Sequence, residues 1–337
     1  MIRIGIVGAT GYGGRELIRL LLAHPNATLT AVASTSAVGE RLDSVLPAFR
    51  DMTDLIFEAF DADRLAQSCD AVFVGVPGGE SMEYVAALRK AGVRVLDIGP
   101  DFRLKDTERF AQYYKREHTA PGLIPESVYG LVPWYREALR EAQLVAVPGC
   151  YPISVVVPLR PLLDQVAVET PIVVDTISGI SGAGRSLNEA FHFPEMNENI
   201  KAYKLAVHQH TPEIEQETGD RALVQFTPHV APMTRGILST ITVRPAKPAD
   251  WQAIFACYDG EPFVRVLGEN ALPEVKYVRA TNFVDFGWTW DKRTGNLIIV
   301  SAVDNLMGGT AGMAVQCLNI MFGLDETTGL RAGGMAP

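Results

Sequence analysis

The chain has 337 residues, of which 47% are hydrophobic and 20% charged, a composition that excludes wholesale disorder and predicts about two folded domains. Its 30 Lys and Arg against 39 Asp and Glu give a net charge of −9, which excludes a general nucleic-acid binder because phosphate neutralisation needs a basic surface. No apolar run approaches the roughly 18 residues of a membrane span, and the N-terminus opens into a strand pattern without a signal peptide. We therefore expect a cytoplasmic protein that binds neither nucleic acid nor membrane.

The first 150 residues alternate between apolar runs and helical patterns. The runs predict strands at 2–7, 28–33, 71–76, 93–98 and 144–147, with helices at 11–23 and 80–91. Alternation of this kind is typical of right-handed βαβ units, so we predict an α/β fold with a Rossmann-type doubly wound parallel sheet.

A glycine-rich turn joins the first predicted strand to the first helix. It reads Gly8-Ala9-Thr10-Gly11-Tyr12-Gly13-Gly14. Glycines spaced in this way, in a strand–turn–helix context, allow the backbone to approach a pyrophosphate, which the amide groups and dipole of the helix N-terminus then stabilise. The turn predicts a dinucleotide site; the alternative is a tight turn without a ligand.

The end of the second strand distinguishes NAD from NADP. An acidic residue there would bind the ribose 2′-hydroxyl, but the chain has Ser34 and Ser36, with Arg41 close by. Hydroxyl groups and an arginine suit a 2′-phosphate, so we predict NADP.

Cys150 stands where a strand gives way to a helix. The sequence from 147 to 152 reads VPGCYP, and Pro152 is well suited to the first helical position, so we expect the thiol at a helix N-terminus. The helix dipole there stabilises a thiolate, the form a nucleophilic cysteine needs. The other three cysteines are scattered and form no CxxC pair, so we expect neither a disulfide framework nor a metal site.

The pattern changes after about residue 165. Apolar segments at 171–178, 222–226, 236–243, 276–282 and 296–304 predict strands without helical crossovers between several of them, which indicates a mixed or antiparallel sheet in a second, α+β domain. The segment from 309 to 322 is helical again.

Two histidines lie close together in this second region. If 207–213 is extended, His208 and His210 point the same way, about 6–7 Å apart. Either could be a catalytic base, and the residues alone do not choose between them.

Taken together, these segments resemble the N-acetyl-γ-glutamyl-phosphate reductases, whose wider fold is shared with aspartate-semialdehyde dehydrogenase. The resemblance extends over about residues 2–330, and its ordered motifs are GATGYGG (8–14), DFR (101–103), PGCYP (148–152), SGISGAGR (178–185), HQHTPEIEQ (208–216) and FTPHVAPMTRGILST (226–240).

The resemblance implies a covalent mechanism. Cys150 would attack an acyl phosphate, phosphate would leave, and NADPH would reduce the resulting thioester to an aldehyde. His210 is the preferred acid–base group, with His208 holding the acyl phosphate and Glu213 placed to orient a ring. The substrate would be bound by Arg103, Ser178, Ser181, Arg185, Arg235 and Glu213. Further cofactor contacts are expected from Pro77, Gly182 and Asn305.

The same resemblance implies a division of the chain and an assembly. We expect an NADP-binding domain at 1–149, completed by a C-terminal helix at about 308–330, and a catalytic and dimerisation domain at 150–307. A homodimer or homotetramer is expected.

Four positions depart from the family pattern. They are Gly78, Val132, Val147 and Met307. They leave open a related reductase of carrier-bound aminoadipyl phosphate, an NADP-sensing regulator built on an inactive reductase, and a dehydrogenase without a covalent intermediate. Thiol alkylation tests for the regulator, phosphate-dependent NADP reduction tests for the dehydrogenase, and an assay beside the aminoadipate analogue tests for the related reductase.

Overall fold

The computed structural model describes residues 1–335 and divides into two compact units. The first comprises Met1–Pro148 and Thr310–Arg331. The second comprises Gly149–Gly309 and, of the last described residues, 332–335. Each unit is built on one seven-stranded sheet.

The sheet of the first unit is entirely parallel. Its strands are β1 Ile2–Val7, β2 Ala27–Ala33, β3 Phe57–Glu58, β4 Ala71–Val74, β5 Arg94–Asp97, β6 Ser127–Tyr129 and β7 Leu144–Ala146. They lie in the order β3-β2-β1-β4-β5-β7-β6, and every neighbouring pair runs in the same direction. The predicted doubly wound sheet is confirmed, and its order reverses between β1 and β4, where such sheets bind their ligands.

Helices cover this sheet. They are α1 Tyr12–Leu22, α2 Leu42–Val45, α3 Ala62–Ser68, α4 Ser81–Lys90, α5 Thr107–Tyr114, α6 Val132–Glu141 and, from the far end of the chain, α12 Gly312–Met321. All ten residues of α12 are buried, and it packs against α1 and α6. An ion pair between Arg136 and Glu326, 3.1 Å apart, anchors the returning segment.

The sheet of the second unit is mixed, as predicted. Its strands are β8 Val168–Gly179, β9 Lys201–Ala202, β10 Val224–Ala231, β11 Ile237–Pro245, β12 Val264–Glu269, β13 Val284–Asp291 and β14 Asn296–Val303. They lie in the order β12-β13-β14-β11-β8-β10-β9, with two parallel pairs, β8 with β10 and β12 with β13, and antiparallel pairs elsewhere.

One face of this mixed sheet is covered and the other is partly open. The helices of the unit are α7 Cys150–Gln165, α8 Phe193–Met196, α9 Thr211–Glu217, α10 Trp251–Phe255 and α11 Val275–Val278. The longest, α7, packs on β11 and β14, where Ser154 and Ser239 meet at 2.8 Å. On the opposite face, Val173, Leu238 and Ile298 are partly exposed.

The predicted strand at 276–282 is wrong. Residues Val275–Val278 form α11, and the strand follows at Val284–Asp291. A buried acid hid that strand from the sequence analysis: Asp285 accepts two hydrogen bonds from the Arg265 guanidinium, at 2.6 and 2.7 Å, and so tolerates a core position.

None of the helices within residues 1–335 is long and apolar enough to span a bilayer.

Candidate active site

The glycine turn of the first unit has the geometry that a dinucleotide requires. Gly8 has φ of +84°, and a Cβ there would collide with the carbonyl of Gly75, the first residue after β4. A Cβ on Gly14 would lie 2.7 Å from the backbone of Ala9, so the start of α1 is pressed against the turn. A Cβ on Gly11 would meet only the Gly8 carbonyl oxygen, at 3.5 Å, while Thr10, Tyr12 and Gly13 complete the turn and the first residues of α1.

The end of β2 carries hydroxyl groups and no carboxylate. Ser34 and Ser36 lie with their hydroxyl oxygens 3.3 Å apart, and the N–H of Ser36 donates to Ser34 Oγ. Arg41 donates to Asp43 at 3.0 and 2.9 Å and to Asp54 at 3.2 Å. Hydrogen bonds from Arg41 to these two acids raise the pKa of its guanidinium, so Arg41 already has anionic partners.

Two other predicted site residues lie at the carboxyl edge of the parallel sheet. Pro77 is exposed in the loop after β4. Arg103 is 7% exposed, and it donates to the carbonyls of Val147, at 2.8 Å, and Ile98, at 3.1 Å. These bonds tie together the segments that follow β5 and β7.

In the second unit, Cys150 is the first residue of α7, two residues earlier than Pro152 predicted for the helix start. The preceding Gly149 donates its N–H to Glu213 Oε1 at 2.8 Å, and Glu213 is fully buried on α9. First-turn N–H groups, such as that of Tyr151, have no acceptor within a helix, so this end of a 16-residue helix favours a thiolate and a nearby oxyanion.

The two histidines lie in a tight turn, and the expected extended segment is wrong. His210 precedes α9 directly, and its helical backbone brings the two ring centroids to 4.9 Å. The N–H of His210 donates to His208 Nδ1 at 3.1 Å, which leaves the proton of a neutral His208 ring on Nε2. His208 is 3% exposed, and its burial, with the cations of His210 and Lys204, lowers its pKa to about 2. His208 is therefore neutral at any physiological pH.

Two tyrosines beside the histidines have no counterpart in the sequence analysis. The hydroxyls of Tyr151 and Tyr203 meet at 2.9 Å, and both rings pack edge-on against His208 at 5.5 Å. Burial raises the pKa of both phenols, that of Tyr203 to about 12, so neither ionises near neutral pH. The only signal in the sequence was the aromatic residue directly after Cys150.

A loop of small residues follows β8. Asn305 accepts the N–H of Gly236 at 2.7 Å and donates to Ser181 Oγ at 2.9 Å, so its amide joins two turns. Ser178 is 4% exposed and donates to the carbonyl of Gly179, while Gly182 is exposed beside it.

The two predicted arginines of this unit differ in their surroundings. Arg235 lies 3.4 Å from Asp304, which is fully buried, and its side chain is 20% exposed. Arg185 is exposed and forms no ion pair with any residue of the described chain, 1–335.

Gly309 was absent from the sequence-derived site but touches the nucleophile. A Cβ at this position would lie 2.8 Å from the Cβ of Cys150 and 3.1 Å from the Asp304 carbonyl. It falls within a π-helical turn at Met307–Ala311 just before α12. Only glycine allows the chain to pass this close to Cys150.

Three of the four departures from the expected pattern are core positions. Val132 and Val147 are fully buried and Met307 is 1% exposed, whereas Gly78 is exposed. Among residues 1–335, no group of three or more His, Cys, Asp or Glu side chains could hold a metal ion.

Comparison with known proteins gives the same division of the chain. The family model described as "Semialdehyde dehydrogenase, NAD binding domain" matches residues 3–142, and "Semialdehyde dehydrogenase, dimerisation domain" matches residues 150–305. Among solved structures, aspartate semialdehyde dehydrogenase II of Vibrio cholerae, complexed with ASA, has a TM-score of 0.73 at 17% identity and covers 96% of this chain and 98% of its own. The Candida albicans enzyme with NADP has a TM-score of 0.72 at 17% identity, with the same coverage. These structures share the fold.

Curated relatives are much closer in sequence. The N-acetyl-γ-glutamyl-phosphate reductase of Desulforudis audaxviator is 47% identical over the full length of both chains. That of Pelotomaculum thermopropionicum is 46% identical and covers 100% of this chain and 99% of its own. With this identity over both units, and with the cysteine, the histidines and the glycine turn in place, the chain belongs to the N-acetyl-γ-glutamyl-phosphate reductase family.

Proposed function

We propose that the protein reduces N-acetyl-γ-glutamyl phosphate to N-acetylglutamate 5-semialdehyde and phosphate, with NADPH as the reductant and a thioester on Cys150. This is the aldehyde-forming step of arginine biosynthesis. The observation that carries the proposal is Cys150 at the start of α7, with its preceding amide held by a buried carboxylate of the helix that His210 begins.

Cys150 acts as the nucleophile. Its sulfur attacks the acyl carbon, the bond from that carbon to the phosphate oxygen breaks, and phosphate leaves with the electron pair. The first-turn amides of α7 stabilise the oxyanion, and loss of one such donor costs about 3–4 kcal/mol in other enzymes. Glu213 keeps these amides in place through Gly149.

His210 acts as the acid–base group. It takes the proton of the Cys150 thiol before attack and stabilises the alkoxide that develops during reduction, until the carbon–sulfur bond breaks and the aldehyde leaves. His208, neutral and buried, accepts the backbone N–H of His210 and positions it.

The first unit holds the cofactor. When bound, NADPH supplies the hydride that reduces the thioester carbonyl. The glycine turn accommodates the pyrophosphate, Ser34 and Ser36 contact the 2′-phosphate, and the exposed Pro77 lines the same crevice. Asn305 and Gly182 stay predicted cofactor contacts.

Arginines and hydroxyls bind the anionic substrate. Arg185, exposed and without an ion pair among the described residues, is the strongest candidate for the leaving phosphate. Arg235, Ser178 and Ser181 complete this group in the second unit. Arg103 donates to two backbone carbonyls of its own unit, and its contact with the substrate stays a prediction.

We also propose that two copies of the chain associate through the partly open face of the mixed sheet. Val173, Leu238 and Ile298 give that face an apolar character, and the matching family model is a dimerisation domain. A homotetramer would need a second contact. We assign the enzyme to the cytoplasm, where its four cysteines, which form no disulfide within the described residues, stay reduced.

The test is NADP reduction by the purified protein with N-acetylglutamate 5-semialdehyde and phosphate, run beside the aminoadipate analogue. We expect activity that depends on phosphate and prefers the acetylglutamyl substrate. Activity without phosphate would indicate direct hydride transfer, preference for the analogue would indicate the lysine-pathway reductase, and no turnover with either would indicate the regulator.

Cys150→Ser should abolish turnover and leave NADPH binding nearly unchanged, because Cys150 belongs to the catalytic unit and the glycine turn to the other. Cys257→Ser, at an exposed cysteine, is the matched control and should behave as wild type. If Cys150→Ser keeps more than about a tenth of wild-type kcat, a barrier change under about 1.4 kcal/mol, the covalent mechanism is excluded.

A further inference from the structure

A buried acidic cluster lies at the carboxyl edge of the parallel sheet, outside the residues assigned above. Asp97 ends β5, Asp101 follows in the next loop, and Ser81 begins α4. All three side chains are fully buried. Two carboxyl groups joined through one hydroxyl in a site without solvent need a physical explanation.

The hydrogen bonds around Asp101 require it to accept at both oxygens. The N–H of Gly79 donates to Oδ1 and Oδ2 of Asp101 at 2.7 and 2.9 Å, and the N–H of Ser81 donates to Oδ2 at 3.1 Å. Asp101 thereby holds the loop between β4 and α4 by its backbone.

Ser81 has one hydroxyl hydrogen but two carboxyl neighbours. Its Oγ lies 3.0 Å from Asp101 Oδ2 and 2.9 Å from Asp97 Oδ2. The other oxygen of Asp97 accepts the N–H of Gly99 at 2.9 Å. All three side chains are hydrogen-bonded when Asp97 carries a proton on Oδ2. Asp97 then donates a hydrogen bond to Ser81 Oγ, and the Ser81 hydroxyl donates one to Asp101 Oδ2.

The loop held by this cluster adjoins the glycine turn. Gly75, at the start of the loop, donates its N–H to the Val7 carbonyl at 2.8 Å, and its own carbonyl fills the space beside Gly8 that a side chain would need. Pro77 lies two residues further on. A change in the loop would therefore reach the dinucleotide crevice.

We propose that Asp97 is a positioning residue kept as the neutral acid, whose proton, relayed through Ser81 to Asp101, fixes the loop at 75–80 in the form that binds NADPH. The second half of this statement rests on the cofactor role proposed above; the first half, the proton on Asp97, does not.

The electrostatic surroundings agree with this assignment. Burial and the neighbouring Asp101 raise the pKa of Asp97 to about 7, against the opposing effect of its hydrogen bonds from Ser81 and Gly99 and of the Arg103 cation. The flanking strands β4 and β7 bring no charged side chain to it. Above neutral pH, ionised Asp97 would oppose Asp101 and break the relay.

Asp97→Asn tests the inference because the amide has nearly the same shape and donates to Ser81 at every pH. Asp101→Asn is the contrasting variant, since it places an amide group among backbone donors. At about pH 6, we expect Asp97→Asn to bind NADPH as wild type does and Asp101→Asn to bind more weakly. As the pH rises to about 8.5, the wild-type Kd for NADPH should rise at least about threefold relative to that of Asp97→Asn. Titration of NADPH itself affects both proteins equally, so it cancels in this ratio.

Two readouts use the ligand-free protein. Infrared difference spectra of wild type minus Asp97→Asn should contain a protonated-carboxyl band at about pH 6 that is lost by about pH 8.5. The unfolding free energy of wild type relative to Asp97→Asn should fall between about pH 4 and 7 and stay level above, because folded Asp97 keeps a proton that the unfolded chain has released.

The inference is overturned if the infrared band is absent, or if Asp97→Asn is as damaging as Asp101→Asn at about pH 6. It is also overturned if the Kd of Asp97→Asn follows that of wild type across the pH range. If Asp97→Asn fails to fold, Ser81→Ala serves instead. In Ser81→Ala we expect the infrared band of protonated Asp97 to shift and NADPH binding to weaken at every pH. An unshifted band would contradict the relay. A wild-type protein that binds no NADPH refutes the proposed function, and the infrared band then still decides where the proton lies.

Discussion

The two histidines ahead of α9 both pack against Tyr151 but differ in burial, and this separates their chemistry. His208 is enclosed by Tyr151, Tyr203 and Phe226, and its Nδ1 already accepts a backbone N–H. Protonation of His208 would place a positive charge in a buried site without water to solvate it, and a protonated Nδ1 could no longer accept that hydrogen bond. His210 is partly exposed at the start of α9, so we expect it to be the ring that a substrate reaches.

His210→Asn should therefore lower kcat by about 10²–10⁴ and remove a titrating limb from the pH profile. His208→Asn should keep that limb, because a group whose pKa is about 2 does not titrate between about pH 5 and 9. Its loss of activity should be smaller and should come from misplacement of His210. Steady-state kinetics of both variants over this range is the measurement; a limb lost in His208→Asn and kept in His210→Asn would reverse the assignment.

The serines after β2 give a second prediction at the residue scale. Ser36→Asp should lower kcat/KM for NADPH and spare NADH, because a carboxylate would repel a 2′-phosphate and can accept from a 2′-hydroxyl. Arg41→Ala should change the ratio less, since Asp43 and Asp54 already occupy that guanidinium. An unchanged ratio in Ser36→Asp would locate the 2′-phosphate elsewhere.

The local sequence was enough to predict the position of Cys150 at a helix N-terminus, but not the hydrogen bond that holds the residue before it. The strand pattern, the Pro-Gly pair and the following apolar helix together predicted a thiol at a helix N-terminus, which α7 confirms. The bond from Gly149 to Glu213 joins residues 64 positions apart, and no spacing rule contains it. The histidine turn was also missed, because the pattern at 207–213 does not distinguish an extended segment from a turn that ends in a helix.

At the scale of elements, the strongest periodic segments were predicted and the interrupted ones were not. The buried strand β4 is a continuous apolar run and β1 is apolar except at Arg3, which is what parallel strands covered on both faces require. Strand β13 contains the buried Asp285, whose ion-pair partner Arg265 lies on β12. A pattern of apolar residues along the sequence therefore could not predict this strand, because the acid is tolerated only through its partner on another strand.

The π-helical turn before α12 gives the element-scale prediction. Gly309→Ala should push Cys150 away, lower kcat by up to about 10²-fold and slow alkylation of the thiol, since a displacement of about 1 Å can cost that much. Gly122→Ala, with no atom within 4 Å of the added Cβ, is the control and should keep full activity. Normal kinetics in Gly309→Ala would mean that the turn yields without moving Cys150.

For the whole molecule, the proposed pairing of sheets can be tested by charge. Ile298→Lys should shift the protein toward monomer in sedimentation analysis, because two lysines would face each other across a symmetric contact. Met52→Lys, at an exposed residue of the first unit, should leave the assembly unchanged. A dimer that survives Ile298→Lys, or dissociates equally with Met52→Lys, would place the contact on another surface.

The return of α12 to the first unit also sets an order of events during synthesis. His24 of α1's C-terminal turn bonds to Asn319 of α12, 295 residues later, and Arg136 of α6 pairs with Glu326. The first unit leaves the ribosome with a helix missing from its core and cannot be completed until residues 310–331 have been synthesised, after the whole second unit from Gly149 to Gly309. A chain that stops before α12 would therefore leave the unit made first incomplete.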